Sequence, residues 1–123
     1  MLTDTSFWIA LARERQSGRS GRATAFIAAH RAVELRISLV AWGELAEGFD
    51  SEEQMDRALR RVRVLPLSRH VAWRSSRLQR HLRGRRLGEN DAWIAATALS
   101  WGLPFVTDDE DFDRVPSLRV VRF

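Results

Sequence analysis

Hydrophobic residues in this chain occur either in short continuous runs or at the spacing of an amphipathic helix. Short apolar runs predict buried strands, and apolar residues three or four positions apart predict helices that cover a sheet. The predicted strands are residues 1–3, 35–40, 62–66, 104–107 and 118–121. The predicted helices are residues 5–12, 21–30, 41–48, a segment beginning at residue 51, 68–83 and 89–101. This alternation predicts one α/β domain over residues 1–123, an α/β/α sandwich with a mainly parallel central sheet.

Local signals predict several of these boundaries. Ser51 followed by Gln54 has the pattern of a capping box at a helix start. Gly102 stands where a C′ glycine would end the alanine-rich helix before it. Residues 13–20 are polar and include Gly18, so we expect a loop there.

Acidic residues occur at four of the junctions between predicted strands and helices. They lie in segments 2–6, 44–48, 90–96 and 106–112. If the strands are parallel, these side chains converge at the carboxyl edge of the sheet, where open α/β folds place their sites. Clustered carboxylates repel one another and lose hydration, so a hard divalent cation is the expected neutralising partner. We therefore predict a magnesium or manganese site that uses Asp4, Glu44, Asp91 and Asp109.

Each of these acids also has an ordinary structural interpretation. Asp4 could cap the helix that begins at Thr5, and Asp91 could be a first-turn acid near the positive end of a helix dipole. Glu44 could be a helix-surface residue. The acidic run also leaves open whether Asp108 or Asp111 replaces or joins Asp109. Joint placement on one sheet edge favours the metal site over four independent caps.

The charge composition indicates a polyanionic substrate. The formal net charge is +4, and all 20 basic residues are arginine. Arginine binds phosphate oxygens in a bidentate manner, which suits nucleic acid, although a GC-rich genome also favours arginine codons. Candidate phosphate contacts are Arg83, Arg85 and Arg86 in a glycine-flanked loop, where solvation or docking of a protein partner is an equal alternative. The absence of lysine argues against receiver domains, haloacid-dehalogenase phosphatases and P-loop proteins, which use a lysine beside their acids or in their phosphate motif.

Other residue types narrow the chemistry further. The chain contains no cysteine, which excludes disulfides and thiolate nucleophiles and fits a reducing cytoplasm. No apolar run approaches the ~20 residues that span a bilayer, and no basic leader precedes the first strand, so we expect a soluble cytoplasmic protein. Trp42 and Trp93 flank the acidic candidates and could stack on bases, but core or dimer packing is the favoured interpretation. The three histidines lack ligand spacing and are interpreted as structural or surface residues: His30, His70 and His81.

Four ordered motifs resemble those of the PIN-domain endoribonucleases, specifically the VapC-type toxins of bacterial toxin–antitoxin pairs. They span almost the whole chain and are Asp4-Thr5-Ser6, Glu44-Leu45-x-x-Gly48, Asp91-Ala92-Trp93-Ile94-Ala95-Ala96-Thr97-Ala98 and Val106-Thr107-Asp108-Asp109-Glu110-Asp111-Phe112, followed by Val115-Pro116-Ser117-Leu118. In this resemblance Asp4, Glu44 and Asp91 match the three most regular ligand positions, and Asp109 matches the more variable fourth. Only three residues precede Asp4, so we expect either a start upstream of Met1 or an unusually short first strand.

The resemblance implies a function and partners. It implies a PIN-like fold and hydrolysis of structured RNA, such as transfer RNA or a ribosomal RNA loop, by water activated on Mg²⁺, for which Mn²⁺ may substitute. It also implies a VapB-type antitoxin that neutralises the toxin, and a homodimer. Ser6 and Thr107 are candidates for orienting a ligand carboxylate or water. The alternative is a catalytically weak PIN domain that acts as an RNA- or protein-binding module.

Overall fold

Five parallel strands form one sheet in the computed structural model, which describes all 123 residues. Their order across the sheet is β3-β2-β1-β4-β5, so the first strand lies in the centre. The strands are β1 (Leu2–Thr3), β2 (Arg36–Ser38), β3 (Arg63–Leu65), β4 (Phe105–Val106) and β5 (Val120–Val121). The predicted parallel sheet is confirmed, with strands shorter than the apolar runs that predicted them.

Six α-helices connect and cover these strands. They are α1 (Thr5–Ser17), α2 (Arg22–Ala29), α3 (Leu39–Ala46), α4 (Glu52–Leu59), α5 (Arg69–His81) and α6 (Glu89–Ser100). A 3-10 helix at Glu110–Arg114 follows β4. No helix is long and apolar enough to cross a membrane.

The sheet separates two apolar clusters, which is the arrangement of an α/β/α sandwich. Successive strand residues point to opposite faces, and in β4 Phe105 belongs to one cluster and Val106 to the other. The larger cluster lies under α5 and α6 and includes Ile94 and Leu78. The smaller cluster lies under α1 and α2, where Phe7 packs edge-on against the ring of Phe26 with centroids 5.7 Å apart. Full burial of a large apolar side chain contributes roughly 1.5–3 kcal/mol.

Three serines start helices by accepting a backbone N–H with the side-chain hydroxyl. Ser38 accepts from Ala41 at 3.1 Å, so α3 begins at Leu39 and the predicted strand over 35–40 is too long. Ser51 accepts from Gln54 at 3.3 Å, which confirms the predicted cap. The return bond of the capping box differs, because Gln54 Oε1 accepts from the N–H of residue 50, at 3.3 Å. Ser68 accepts from the N–H of residue 71 at 3.2 Å and starts α5.

Glycines with positive φ end two helices. Gly102 has φ 61° and is followed by a hydrogen bond from Leu103 N–H to Ala98 O of 3.0 Å, which confirms it as a C′ glycine. Gly18 has φ 66° and ends α1 five residues later than predicted. The loop prediction was wrong for residues 13–17, because the apolar spacing stops at Leu11 while the polar residues after it remain helical, and it is confirmed for residues 18–20.

Glu14 explains why α1 must continue. Its Oε1 accepts from Ala23 N–H at 3.0 Å, and its Oε2 accepts from the N–H of Thr24 at 2.8 Å and its hydroxyl at 2.6 Å. This carboxylate supplies the cap that Gly21, at the N-cap of α2, cannot provide. A Cβ at Gly21 would overlap Glu14 Oε1, so a larger residue there would force the Glu14 carboxylate to move. These bonds lower the pKa of Glu14 to about 2, with the Thr24 hydroxyl as the largest cause.

Replacing Glu14 with Gln is expected to lower the melting temperature by a few degrees at pH 7, because an amide N–H₂ then faces a backbone donor. The pKa of Glu14 is lowered from 4.5 to about 2, so its stabilising effect is present above pH 4.5 and is lost as the pH falls through about 2. Thermal melts of both proteins from pH 7 to pH 2 check this, and Glu47→Gln is the control at an exposed position. Equal melting temperatures at pH 7 would contradict the capping role.

Candidate metal centre at the carboxyl edge of the sheet

The parallel sheet brings the acidic segments to one edge. Asp4 directly follows β1, and residues 107–109 directly follow β4, its hydrogen-bonded neighbour. Helix α6 leads into the amino end of β4, so its first turn, which contains Asp91, lies at the carboxyl edge. Helix α3 begins at the end of β2 and carries Glu44 in its second turn. The predicted convergence of these segments therefore follows from the topology.

Asp4 is a buried carboxylate with three protein donors. It is 6% exposed; its Oδ1 accepts from Thr5 N–H at 2.8 Å, and its Oδ2 accepts from the hydroxyls of Ser6 and Thr107 at 3.0 and 2.8 Å. Burial raises the pKa of Asp4, the three hydrogen bonds oppose that shift, and the nearby charge of Glu44 adds to it. Burial therefore disfavours the ionised form of Asp4 although its carboxylate accepts three hydrogen bonds.

Thr107 connects Asp4 with the acidic loop. Its buried hydroxyl donates to Asp4 and accepts from the N–H of Asp109 at 3.1 Å. Arg122 donates to the backbone oxygens of Thr107 and Asp109 at 3.1 and 3.0 Å, while its own charge is paired with Asp113 at 2.5 Å. The loop is thus held in place by its backbone, and the carboxylate of Asp109 accepts the N–H of Asp111 at 2.8 Å and pairs with no arginine.

Two residues that the sequence interpretation did not single out hold Glu44. The hydroxyl of Thr5 donates to Glu44 Oε2 in a short hydrogen bond, and Asn90 Nδ2 donates to Oε1 at 2.9 Å. Thr5 and Asn90 are the sequence neighbours of Asp4 and Asp91. This adjacency is the feature of the sequence that could have identified them as residues of the site. Through them Glu44 is linked to α1, which follows Asp4, and to α6, which carries Asp91.

Asp91 experiences the charge of the whole cluster. Its pKa is raised to about 6, first by burial and then by the charges of Asp4, Asp109, Glu44 and Asp111. No protein group donates a hydrogen bond to its carboxylate. A Cβ at Gly88 would lie 3.1 Å from Asp91 Oδ2, so the turn before α6 passes close to this oxygen. Asp91 is the least compensated acid of the group, which is the state that a bound cation would relieve.

Ion pairs divide the acids of the carboxyl edge into two groups. Asp108 pairs with Arg22 at 3.2 Å, and Asp111 pairs with Arg85 at 2.7 Å. The remaining ion pairs involve Glu34, Asp113 and a second contact of Asp111. No arginine pairs with the four predicted ligands, which are Asp4, Glu44, Asp91 and Asp109. The four predicted ligands are therefore all without an ion pair, as are Glu89 and Glu110 at the same edge.

The chemistry of the donor set fits magnesium or manganese. All four unpaired side chains offer carboxylate oxygens, the ligands that hard divalent cations prefer. In the positions that the side chains occupy, no three acidic or histidine side chains form a ready-made metal cage. Magnesium retains several waters and uses substrate phosphates as ligands, so a complete protein cage is not required.

Other candidates have separate roles. His30 stacks on Phe26 with ring centroids 4.1 Å apart and hydrogen-bonds its carbonyl at 2.9 Å, in agreement with a structural role. Trp42 packs against the larger apolar cluster, as favoured. Trp93 belongs to neither cluster and lines a groove between α5 and α6. Arg85 forms an ion pair with Asp111, whereas Arg83 forms none.

Comparison with known proteins identifies the family of this chain. Residues 1–118 match the sequence model of the PIN domain. The chain belongs to the PIN-domain family. It is 31% identical over 98 residues to Ribonuclease VapC4 of Mycobacterium tuberculosis, an alignment that covers 69% of this chain and 74% of that relative. It is 41% identical over 66 residues to Ribonuclease VapC5 of the same organism, covering 50% of this chain and about half (49%) of that relative.

A solved structure shares the PIN fold over nearly the full chain. This PIN domain aligns with the structure of VapBC-1 from nontypeable Haemophilus influenzae with a TM-score of 0.79 and 27% identity. The alignment covers 98% of this chain and 96% of that one. The predicted PIN-like fold and the resemblance to VapC-type proteins are confirmed.

Replacing Asp91 with Asn is expected to raise the free energy of unfolding of the metal-free PIN domain above pH 6 by about 1–2 kcal/mol. This is less than the free energy that corresponds to a two-unit pKa shift, because Asp91 is partly exposed and solvent screens its charge. The pKa of Asp91 is raised from 3.8 to about 6, so the wild type loses stability as the pH rises through this range, and the variant does not. Urea unfolding in EDTA at pH 4 and pH 7.5 measures this difference. A variant that is less stable than the wild type at pH 7.5 would show that the carboxylates are not mutually destabilising.

Proposed function

We propose that residues 1–123 form a single PIN domain that acts as a magnesium-dependent endoribonuclease toxin on structured RNA, such as transfer RNA or ribosomal RNA. The supporting observation is the set of four carboxylates that share one sheet edge and have no arginine partner. Membership of the PIN family and the similarity to VapC4 and VapC5, both named ribonucleases, support the reaction class.

In this proposal Asp4, Asp91 and Asp109 hold Mg²⁺ or Mn²⁺ directly or through water, and Glu44 is a further ligand or orients the attacking water. When bound, the metal supplies an activated water and neutralises charge on the scissile phosphate. Ser6 and Thr107 hold Asp4 in one orientation. Thr5 and Asn90 do the same for Glu44 (side-chain contacts at both of its oxygens), so little reorganisation is needed on substrate binding.

Asp109 is preferred to its neighbours for an electrostatic reason. Asp108 is occupied by Arg22, and Asp111 by Arg85, so a cation there would have to displace an existing partner. Asp109 has no such partner, and its backbone N–H is tied to Thr107, which also binds Asp4. Its charge also acts on Asp91.

Purified protein is expected to cut total RNA into discrete fragments in magnesium or manganese and to be inactive in EDTA. Asp4→Asn and Asp109→Asn should each lower the cleavage rate by about 100-fold or more, because each removes a charge that stabilises the reacting centre. Asp108→Asn is the matched control at the adjacent position and should stay within about 3-fold of wild type, since a surface ion pair contributes little. Fragment mapping after gel separation gives both the rate and the sites.

Folded wild-type protein that cut no RNA in either metal would refute the nuclease. It would leave the alternative function, a PIN domain that binds RNA or protein without cleaving it. Cleavage that is equal in EDTA, or equal in Asp4→Asn, would exclude the metal site instead.

We further propose that a VapB-type antitoxin binds beside the metal centre. An apolar groove of about 430 Å³ runs between α1, α3 and α4, and its lining includes Trp8, Ile9, Phe49 and Leu59. Glu44 also borders this groove, so a segment that fills it reaches the acid cluster, where an arginine of the partner could pair with the carboxylates. The similarity to VapBC-1 of Haemophilus influenzae supports a partnership of this kind.

Homodimerisation and cytoplasmic localisation stay predictions. The side chains of Trp73 and Trp101 are exposed and could contribute to a subunit contact.

Replacing Ile9 with Asp is expected to weaken antitoxin binding at least 10-fold, because a charge enters an apolar groove. Cells that express this variant together with the cognate antitoxin should remain growth-arrested, whereas the wild-type pair should grow. Val33→Asp is the control, since Val33 is similarly exposed but lies outside the groove. Neutralisation of Ile9→Asp as complete as that of the control would contradict this docking site.

A further inference from the structure

A second groove lies between α5 and α6 and has a different character. Its volume is about 480 Å³, and it is lined by Arg80, Arg83, Arg86, Glu89 and Trp93 together with small and polar residues. It opens beside the first turn of α6, the same turn that carries Asp91. The groove therefore begins at the same end of α6 as Asp91 but on a different face of that helix, and it shares none of the acidic ligands.

The basic side of this groove is not neutralised within the chain. Residues 68–88 contain seven arginines and no acidic residue. Of these seven, only Arg85 forms an ion pair. The side chains of Arg80, Arg83 and Arg86 make no hydrogen bond to the protein, so their donors are available to a ligand. Glu89 is the one acid in the lining, which leaves a net positive groove.

The loop that carries these arginines is anchored from below. Gln79, which is 8% exposed, donates to Leu87 O at 2.8 Å and accepts from Leu87 N–H at 3.0 Å. Arg114 donates to the backbone oxygens of Arg85 and Arg86. The backbone beneath Arg83 and Arg86 is thus fixed while their side chains are exposed, which lowers the entropy lost on binding.

Trp93 supplies an aromatic surface in the same groove. It is partly buried, belongs to neither apolar cluster, and its indole N–H has no hydrogen-bond partner in the chain. A partly exposed tryptophan beside unpaired arginines is the combination on which single-stranded nucleic acids stack. Trp93 lies near the same end of α6 as Asp91 but on a different face of the helix.

We propose that this groove binds a single-stranded segment of the RNA substrate, with phosphates on Arg83 and Arg86 and a base stacked on Trp93. This inference rests on the proposed nuclease function and names the surface along which its RNA substrate binds. A cluster of unpaired carboxylates repels phosphate, so an adjacent cationic surface is needed to bring a polyanion to the metal centre. The groove offers few apolar side chains as anchors for a peptide, which favours RNA over an acidic protein segment.

Fluorescence polarisation with a labelled single-stranded RNA of about 12 nucleotides tests the groove, using Asp4→Asn as the background so that the probe is not cut. Arg83→Gln/Arg86→Gln should weaken binding roughly 10-fold at about 0.1 M salt and lower the slope of log affinity against log salt by about 1.4, or 0.7 per phosphate contact. Trp93→Leu should weaken binding about 5- to 100-fold and leave this slope unchanged. Trp93→Phe should restore part of the loss, and Glu89→Gln should strengthen binding.

The matched control is Arg31→Gln/Arg119→Gln, which removes the same charge from two exposed positions outside the groove. Thermal melts of every variant establish that it is folded. If the groove variants bind like the control, the inference is wrong. If polyglutamate displaces the probe as well as unlabelled RNA does, the groove recognises acidic protein segments, and the RNA assignment is overturned.

Cleavage kinetics separate this inference from the nuclease function. Without the Asp4→Asn background, Arg83→Gln/Arg86→Gln should raise KM for RNA about 10-fold and keep kcat within about 2-fold, as expected for lost uniform binding. Metal-dependent cleavage with an unchanged KM would reject the groove and leave the nuclease intact. Wild-type protein that neither binds the probe nor cuts RNA would reject both.

Discussion

The rest of the site depends on the burial of one carboxylate, Asp4, at the end of the central strand. A buried charge is tolerated only where donors surround it, and here they come from the start of α1 and from Thr107 after β4. Because β1 and β4 are paired in register, Asp4 and Thr107 meet at the same edge. The same threonine positions Asp109, so the sheet register sets the distance between two of the acids. The pairing of β1 with β4 therefore also fixes the relative positions of Asp4 and Asp109.

The distribution of arginine decides what this edge can do. Acids on the periphery of the loop have cationic partners, as in the Arg22–Asp108 and Arg85–Asp111 pairs, while the central four have none. Burial, and after it the charges of the neighbouring acids, raises the pKa values of Asp4 and Asp91. Such a site costs stability in the metal-free protein, which is the usual relation between a functional cluster and the fold that carries it. An arginine inserted by a partner would relieve the same repulsion that a metal relieves.

Two surfaces of opposite character flank the candidate metal centre. The groove along α1, α3 and α4 is apolar and meets the centre at Glu44. The groove between α5 and α6 is basic and meets it at the first turn of α6. An inhibitor and a substrate that used these separate surfaces would still compete, because both would end at the same carboxylates. The binding free energy of the inhibitor or of the substrate would then depend on the charge of the carboxylates and on the shape of the groove that each of them fills.

Local sequence by itself determined the element order, the parallel sheet and the presence of acidic residues at the strand ends. Short apolar runs, helical spacing, serine caps and Gly102 are properties of neighbouring residues, so they could be interpreted without coordinates. Only the tertiary structure decided which acids remain unpaired, because Arg22 and Asp108 are distant in sequence, as are Arg85 and Asp111. The same holds for Glu14, whose carboxylate caps a helix nine residues later and extends α1 beyond its apolar stripe. It also holds for Thr5 and Asn90, and for Trp93, whose exposure depends on how α5 packs beside α6. Long-range contacts decide charge pairing and exposure, and no local pattern encodes them.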